Sequence, residues 1–199
     1  MAEGEPPPVP ARARPGGTLL VLFWHLGVTA AVVFFTLGRR RIDYRVVLLG
    51  AILPDLIDKP IGRIFFEEQF QNSRLFGHTL LFSLVLLLMI QLILRGAAAR
   101  RWFILPIACM LHLVLDAMWS EPVTFFWPLF GTEFPEVLVQ NYWLEVFLRP
   151  LEHPAVLVQE IVGLGLLLYL GYAYRLHTAA HLKGFIRTGT LVEQKSPRG

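Results

Sequence analysis

The chain has 199 residues, 55% of them hydrophobic and only 17% charged, with a formal net charge of +3 and a single cysteine, Cys109. Soluble domains average about 45–50% apolar and about 25% charged residues. The composition therefore excludes a disordered protein, a basic nucleic-acid-binding domain and a disulfide-stapled scaffold, and reads as an all-α integral membrane protein.

Residues 1–17 are rich in Pro, Gly and Ala and read as a disordered tail. The apolar run Thr18–Leu37 is followed by Arg39-Arg40-Arg41 rather than by a small-residue cleavage site, so it reads as a retained transmembrane helix. Ile42–Asp58 is shorter, either a short span or a helix stopping inside the protein, and contains Leu53-Pro54-Asp55. Proline biases its predecessor away from helix, so the chain is expected to break there, leaving Asp55 and Asp58 on a turn. Leu75–Leu94, Trp102–Trp119 and Ala155–Tyr174 each come close to the roughly 20 residues that a span requires. Glu136–Leu148 is aromatic with polar interruptions and reads as an interfacial helix, and residues 177–199 as a basic cytoplasmic tail.

Lys and Arg set the orientation, because positively charged loops stay inside. With about five spans and the N-terminus outside, the inner segments hold Arg39, Arg40, Arg41, Arg45, Arg95, Arg100, Arg101 and the basic residues after Tyr174. The loop from Ser120 to Pro154 holds Arg149 against Glu121, Glu133, Glu136, Glu145 and Glu152, and is expected outside. Arg12 and Arg14 in the N-terminal tail run against this N-out, C-in arrangement.

An ionisable group in mid-membrane costs roughly 2.5–3.5 kcal/mol on insertion scales. Seven lie in or at the ends of these spans: His25, Asp55, Asp58, His78, His112, Asp116 and Glu160. All are histidine or carboxylate, the ligand types of a divalent metal such as zinc. The orientation, drawn from Lys and Arg alone, gathers all of them at the outer membrane face. His112 and Asp116 are also i and i+4, one turn apart on one helix face. Structural readings stand beside this one. His25 and Glu160 suit interhelical hydrogen bonds, Asp55 and Asp58 a helix end, and His112 with Asp116 a buried pair. His153, His177 and His181 read as solvated residues.

The motifs Gly50-Ala51-Ile52-Leu53-Pro54-Asp55 with Asp58, Ser73-Arg74 with His78-Thr79, and His112-Leu113-Val114-Leu115-Asp116 resemble those of the YdjM-like family of predicted membrane-bound metal-dependent hydrolases. The similarity runs from about His25 to Gly131. Thr79 stands where that family usually has Ser, Gly77 where Thr is frequent, and Ser73 where a His often precedes the Arg. The order His, Asp, His, His-x-x-x-Asp is also loosely similar to zinc-dependent phospholipase C. That likeness implies His78, His112 and Asp116 as ligands and Asp55 as base; its further His and Glu ligands have no clear counterpart here unless His153 and Glu160 serve. The family resemblance implies a prokaryotic plasma (inner) membrane.

The candidate metal ligands are thus His25, His78, His112, Asp116 and Glu160, with zinc the expected metal. A catalytic zinc needs three protein ligands and an open position, and lowers the pKa of its bound water to about 7. Asp55 and Asp58 are candidate bases. Arg74 suits a phosphate, or is a snorkelling interfacial residue. The outer loop carries Trp119, Phe125, Phe126, Trp127, Phe130, Phe134, Tyr142, Trp143 and Phe147, either as an anchor belt or as a cradle for an amphiphile. A membrane lipid ester or phosphoester is the expected substrate. The competing readings are a non-enzymatic membrane assembly partner and an ion transporter; the inner halves of the spans are too apolar for an ion path, with Gln91 the main polar residue.

Overall fold

Small residues let apolar helices approach closely, and close packing matters most where lipid removes the hydrophobic drive for association. The computed structural model describes residues 22–37, 42–137 and 153–191, and every regular element among them is helical. Helix α1 spans Leu22–Leu37 and α2 spans Tyr44–Pro60. A π-helical turn at Ile61–Phe65 and a short α3, Glu67–Phe70, lead to a 3-10 turn at Phe76–His78. Then come α4, Leu80–Ile93, and α5, Gly96–Trp102, which passes through Phe103 into α6, Ile104–Leu115. A 3-10 turn at Met118–Ser120 and a short α7, Pro122–Phe125, follow. Helix α8 is Pro154–Ala173 and α9 is Ala179–Thr188.

Helix α2 is central. It packs on α6 and α1, with α8 against the far side of α1 and α4 against α6. The α2–α6 crossing is tight because Gly50 has no side chain: a Cβ there would lie 2.6 Å from the Ala108 Cβ. The α1–α8 crossing is tighter still. A Cβ on Gly27 would overlap the Gly163 carbonyl, and one on Gly163 would overlap the Phe23 carbonyl. Val33, Val46, Val47, Ile104, Leu105 and Leu170 form the core between these helices.

The two ends of the bundle differ in chemistry. At one end, Asp43 accepts from Arg45 and from Arg101, at 2.7 and 2.6 Å. The Arg45 guanidinium also donates to the Ile186 carbonyl, and the Tyr44 amide donates to Gly189, which ties α9 to the start of α2. The opposite end holds His25, His78 and His112 with the carboxylates Asp55, Asp58 and Asp116.

The all-helical architecture is as expected, and among the described residues two of the five expected spans are long and apolar enough to cross a membrane, Gly96–Leu115 and Pro154–Ala173. Helix α4 is apolar with 14 residues, α1 is apolar over its 16 described residues, and α2 carries four charged side chains. One expectation is corrected: the break at Pro54 is absent, since α2 continues through it to Pro60. Proline removes one helical N–H, which loosens a turn without ending a helix that is packed on both sides. The tail 1–17, the start of the first apolar run, the Arg39–Arg41 triplet, residues 192–199 and all of the interfacial segment beyond Val137 lie outside the described residues.

Candidate metal centre

Asp55, His78, His112 and Asp116 come from three different parts of the fold and meet at one end of the bundle. His112 sits in the last turn of α6, and Asp116 is the C-cap of the same helix. Asp55 directly follows Pro54 on α2. His78 closes the 3-10 turn before α4 and is held there through Asp58. The Asp58 carboxylate accepts from the backbone amides of Leu75, Gly77 and His78, at 2.7, 2.8 and 3.1 Å. It also accepts from His78 Nδ1 at 2.7 Å. Asp58 is fully buried, and this set of donors explains how the charge is tolerated there.

The second histidine is oriented by backbone. His112 Nδ1 lies 2.7 Å from the Ala51 carbonyl, which can only accept, so Nδ1 carries the proton. This contact falls at the turn of α2 that Pro54 loosens. Both Nδ1 atoms therefore carry protons, and when both rings are neutral both Nε2 atoms present lone pairs. Those two Nε2 atoms face each other at 3.3 Å, and both rings are 0% exposed.

Carboxylate oxygens complete the cup. Asp55 Oδ1 is 3.5 Å from His78 Nε2 and 4.0 Å from His112 Nε2. Asp116 Oδ2 is also 3.5 and 4.0 Å from the same two atoms. Ligands at 2.0–2.1 Å around a tetrahedral zinc are about 3.3–3.4 Å apart, so a donor set of two imidazole nitrogens and two carboxylates at these separations fits a divalent metal of that size. Two groups of possible ligands share His112: Asp55 with His78, and His25 with Asp116.

Outside the cup, each carboxylate has a second partner. His25 Nε2 is 3.0 Å from Asp116 Oδ1, and its ring packs over that of His112 with centroids 4.2 Å apart. Asp55 Oδ2 takes the Lys59 ammonium at 2.6 Å. Arg74 reaches Asp116 Oδ2 at 2.9 Å with one terminal nitrogen and Glu121 at 2.6 Å with the other. The segment carrying Arg74 is held by Asn72, whose side chain accepts from the Arg74 amide and donates to the Pro135 carbonyl. Phe76 packs edge-on against Trp127 and Phe134, so part of the aromatic loop braces the turn that bears His78. Trp119, Leu129 and Phe130 stay exposed. Tyr142, Trp143 and Phe147 lie outside the described residues.

Of the candidates read from the sequence, His25, Asp55, His78, His112 and Asp116 are brought together, with Arg74 beside them. Glu160 is not among them. Its two oxygens accept from the Phe23 and Trp24 amides, at 3.1 and 3.0 Å, so it caps the start of α1 from α8. Asp58 does not face the cup either; it holds the far side of His78. The sequence reading missed Lys59, Glu121 and the Ala51 carbonyl. Only Lys59 left a signal, its i+4 spacing from Asp55.

Apolar helices with aliphatic side chains exposed on α4 and α8, and a buried His/Asp cluster at one end of the bundle, fit an integral membrane protein with a candidate metal centre. The chain belongs to the YdjM inner membrane protein family, whose family model matches residues 21–184. Neither the curated proteins nor the solved structures compared with the chain include a match.

Proposed function

We propose that the protein is a membrane-embedded metal-dependent hydrolase acting on a lipid ester or phosphoester at the outer membrane–water interface. The observation that carries this reading is the cup of two facing Nε2 atoms and two carboxylate oxygens. In this reading α1, α2, α4, α5–α6 and α8 all cross the membrane, N-terminus outside and C-terminus inside. The Asp43–Arg45–Arg101 cluster then faces the cytoplasm and the His/Asp cluster the outer face.

His78, His112 and Asp116 would hold the metal, and zinc suits this donor set. A metal bound there would supply an acidified water and polarisation of the ester oxygen. Asp58 and the Ala51 carbonyl orient the two imidazoles, and His25 orients Asp116. Asp55, with its side chain 18% exposed, is the most open member of the cup and accepts the proton from the attacking water. The Arg74 guanidinium, already turned toward Asp116, neutralises charge that develops on a phosphoryl oxygen.

A second reading has its own observation. Asp55 Oδ1 is as close to the two Nε2 atoms as Asp116 Oδ2 is. With Asp55 as a fourth ligand the site is closed, as in structural zinc centres, and the protein is a non-enzymatic membrane partner. The two readings separate in one experiment. Zinc-loaded protein in lipid nanodiscs is assayed for ester and phosphoester hydrolysis beside Asp55→Asn. The hydrolase reading predicts turnover that falls roughly 10²–10⁴-fold in the variant with metal content kept. No turnover in the wild type, with metal lost in Asp55→Asn, supports the closed structural site instead.

A further inference from the structure

Helix α8 stops abruptly and the chain turns. Arg175 is in the left-handed region at φ 53°, and the Leu176 amide donates back to the Gly171 carbonyl at 2.8 Å, a bond that closes a helix C-terminus. Only Tyr174 to Thr178 separate α8 from α9. Helix α9 is then clamped against the start of α2. Phe185 packs on the core, the Tyr44 amide donates to the Gly189 carbonyl at 2.7 Å, and Arg45 donates to the Ile186 carbonyl. These ties hold α9 level with the end of α8 and the first turn of α2. Helix α8 is long and apolar enough to cross a membrane, so with α8 in the bilayer α9 sits at its surface.

The face of α9 that the bundle leaves uncovered carries two chemistries. Leu182 and Ile186, one turn apart, are 44% and 61% exposed. Lys183 and Arg187, the next residue round in each case, are exposed too, and their side chains have no partner among the described residues. The two pairs form adjoining stripes, one apolar and one basic, on the side of α9 away from Phe185. The same order, hydrocarbon beside negative charge, is met at the surface of a bilayer that contains anionic lipid.

We propose that α9 is an interfacial helix that docks on the anionic lipid of the leaflet at the Asp43 end of the bundle. Leu182 and Ile186 enter the acyl boundary, and Lys183 and Arg187 take the headgroup phosphates. Two cations free of carboxylates favour an anionic phospholipid over a zwitterionic one, whose own ammonium opposes them. The docking goes beyond the hydrolase reading and does not depend on it.

The test is fluorescence quenching of the full chain in liposomes of phosphatidylglycerol and phosphatidylcholine. A label is attached at Ile186→Cys, or at Lys183→Cys for the headgroup side. Cys109 is buried, and the unsubstituted protein serves as the blank. The expected result is that nitroxide groups on the lipid acyl chains quench the label at 186 and a water-soluble nitroxide does not, while the water-soluble nitroxide reaches the label at 183. Nitroxide-bearing phosphatidylglycerol quenches at 186 more than the phosphatidylcholine analogue. Lys183→Gln/Arg187→Gln lowers that preference, roughly fivefold for each basic residue removed. Quenching at 186 from water and not from lipid overturns the docking. Equal quenching by the two lipids, unchanged in the double variant, overturns it as well. So does a label at 186 shielded from both nitroxides and cross-linked between chains, which makes the apolar stripe a contact between copies. None of these readouts involves ester turnover, so the hydrolase reading stands or falls separately.

Discussion

His78 Nε2 and His112 Nε2 face each other at 3.3 Å in a fully buried position, while each ring commits its Nδ1 proton elsewhere, to Asp58 and to the Ala51 carbonyl. Two lone pairs aimed at one another repel unless a metal cation or a shared proton lies between them. The flanking Asp55 and Asp116 oxygens supply the negative charge that a divalent cation requires. The pattern of a carboxylate or carbonyl behind each histidine is the usual way that proteins fix the tautomer of a ligating imidazole.

Chelation should therefore destabilise the protein. A metal at about 100 times its dissociation constant adds about 2.7 kcal/mol to the folded state. Removing it with a chelator is expected to lower the unfolding temperature, and zinc is expected to restore it. The check is thermal unfolding in detergent of the wild type and of His112→Ala; the variant should show no response to either treatment.

Asp58→Asn separates orientation from ligation. The asparagine amide turns one acceptor into a donor facing the Leu75, Gly77 and His78 amides, which costs about 1–3 kcal/mol for the group left unsatisfied. His78 also loses the carboxylate that holds its tautomer, so metal affinity is expected to fall roughly 10–100-fold without being abolished. Competitive zinc titration and thermal unfolding measure the two effects separately.

Arg74→Lys keeps the charge and removes the fork. Arg74 spans Asp116 and Glu121 with two different nitrogens, and a single ammonium cannot reproduce both contacts. Turnover is expected to fall roughly 10²-fold with metal content unchanged, as for the loss of one oriented transition-state donor. Elemental analysis run alongside the kinetic assay checks both halves of that statement.

Gly27→Val probes how the fold positions His25. A side chain at Gly27 has to displace the Gly163 backbone, so α1 and α8 must separate. His25 lies half a turn away on α1, and the caps that Glu160 gives Phe23 and Trp24 are lost with the same movement. The variant is expected to lose at least about 2 kcal/mol, in the range for overpacking a tight contact. Gly165→Val, on α8 with open space around it, should be close to neutral. Unfolding temperatures of the two variants make the comparison.

Much of this arrangement is legible in the residues themselves. The i,i+4 spacing of His112 and Asp116 places them on one turn whatever surrounds the helix, and Lys/Arg bias suggests which helix ends share a face. The division of labour between Asp55 and Asp58 is not legible, because it depends on the 3-10 turn at Phe76–His78 wrapping its amides around Asp58. Pro54 misleads for a related reason. Local preference favours a break, but α6 and α1 hold α2 from both sides and the helix runs through. Glu160 misleads because an acid one or two turns into an apolar helix looks the same in sequence whether it meets a metal or the open start of a neighbouring helix.

The account stands most directly on the metal content of the purified protein. Elemental analysis of detergent-purified wild type, beside a His78→Ala/His112→Ala variant matched for helix content and monodispersity, is the measurement. The cup predicts about one zinc per chain in the wild type and none in the variant, since the two ligand groups share His112 and hold a single ion. A wild-type protein that takes up no metal, even after reloading with zinc or manganese, contradicts the metal centre and leaves the facing histidines as a proton-bridged structural pair.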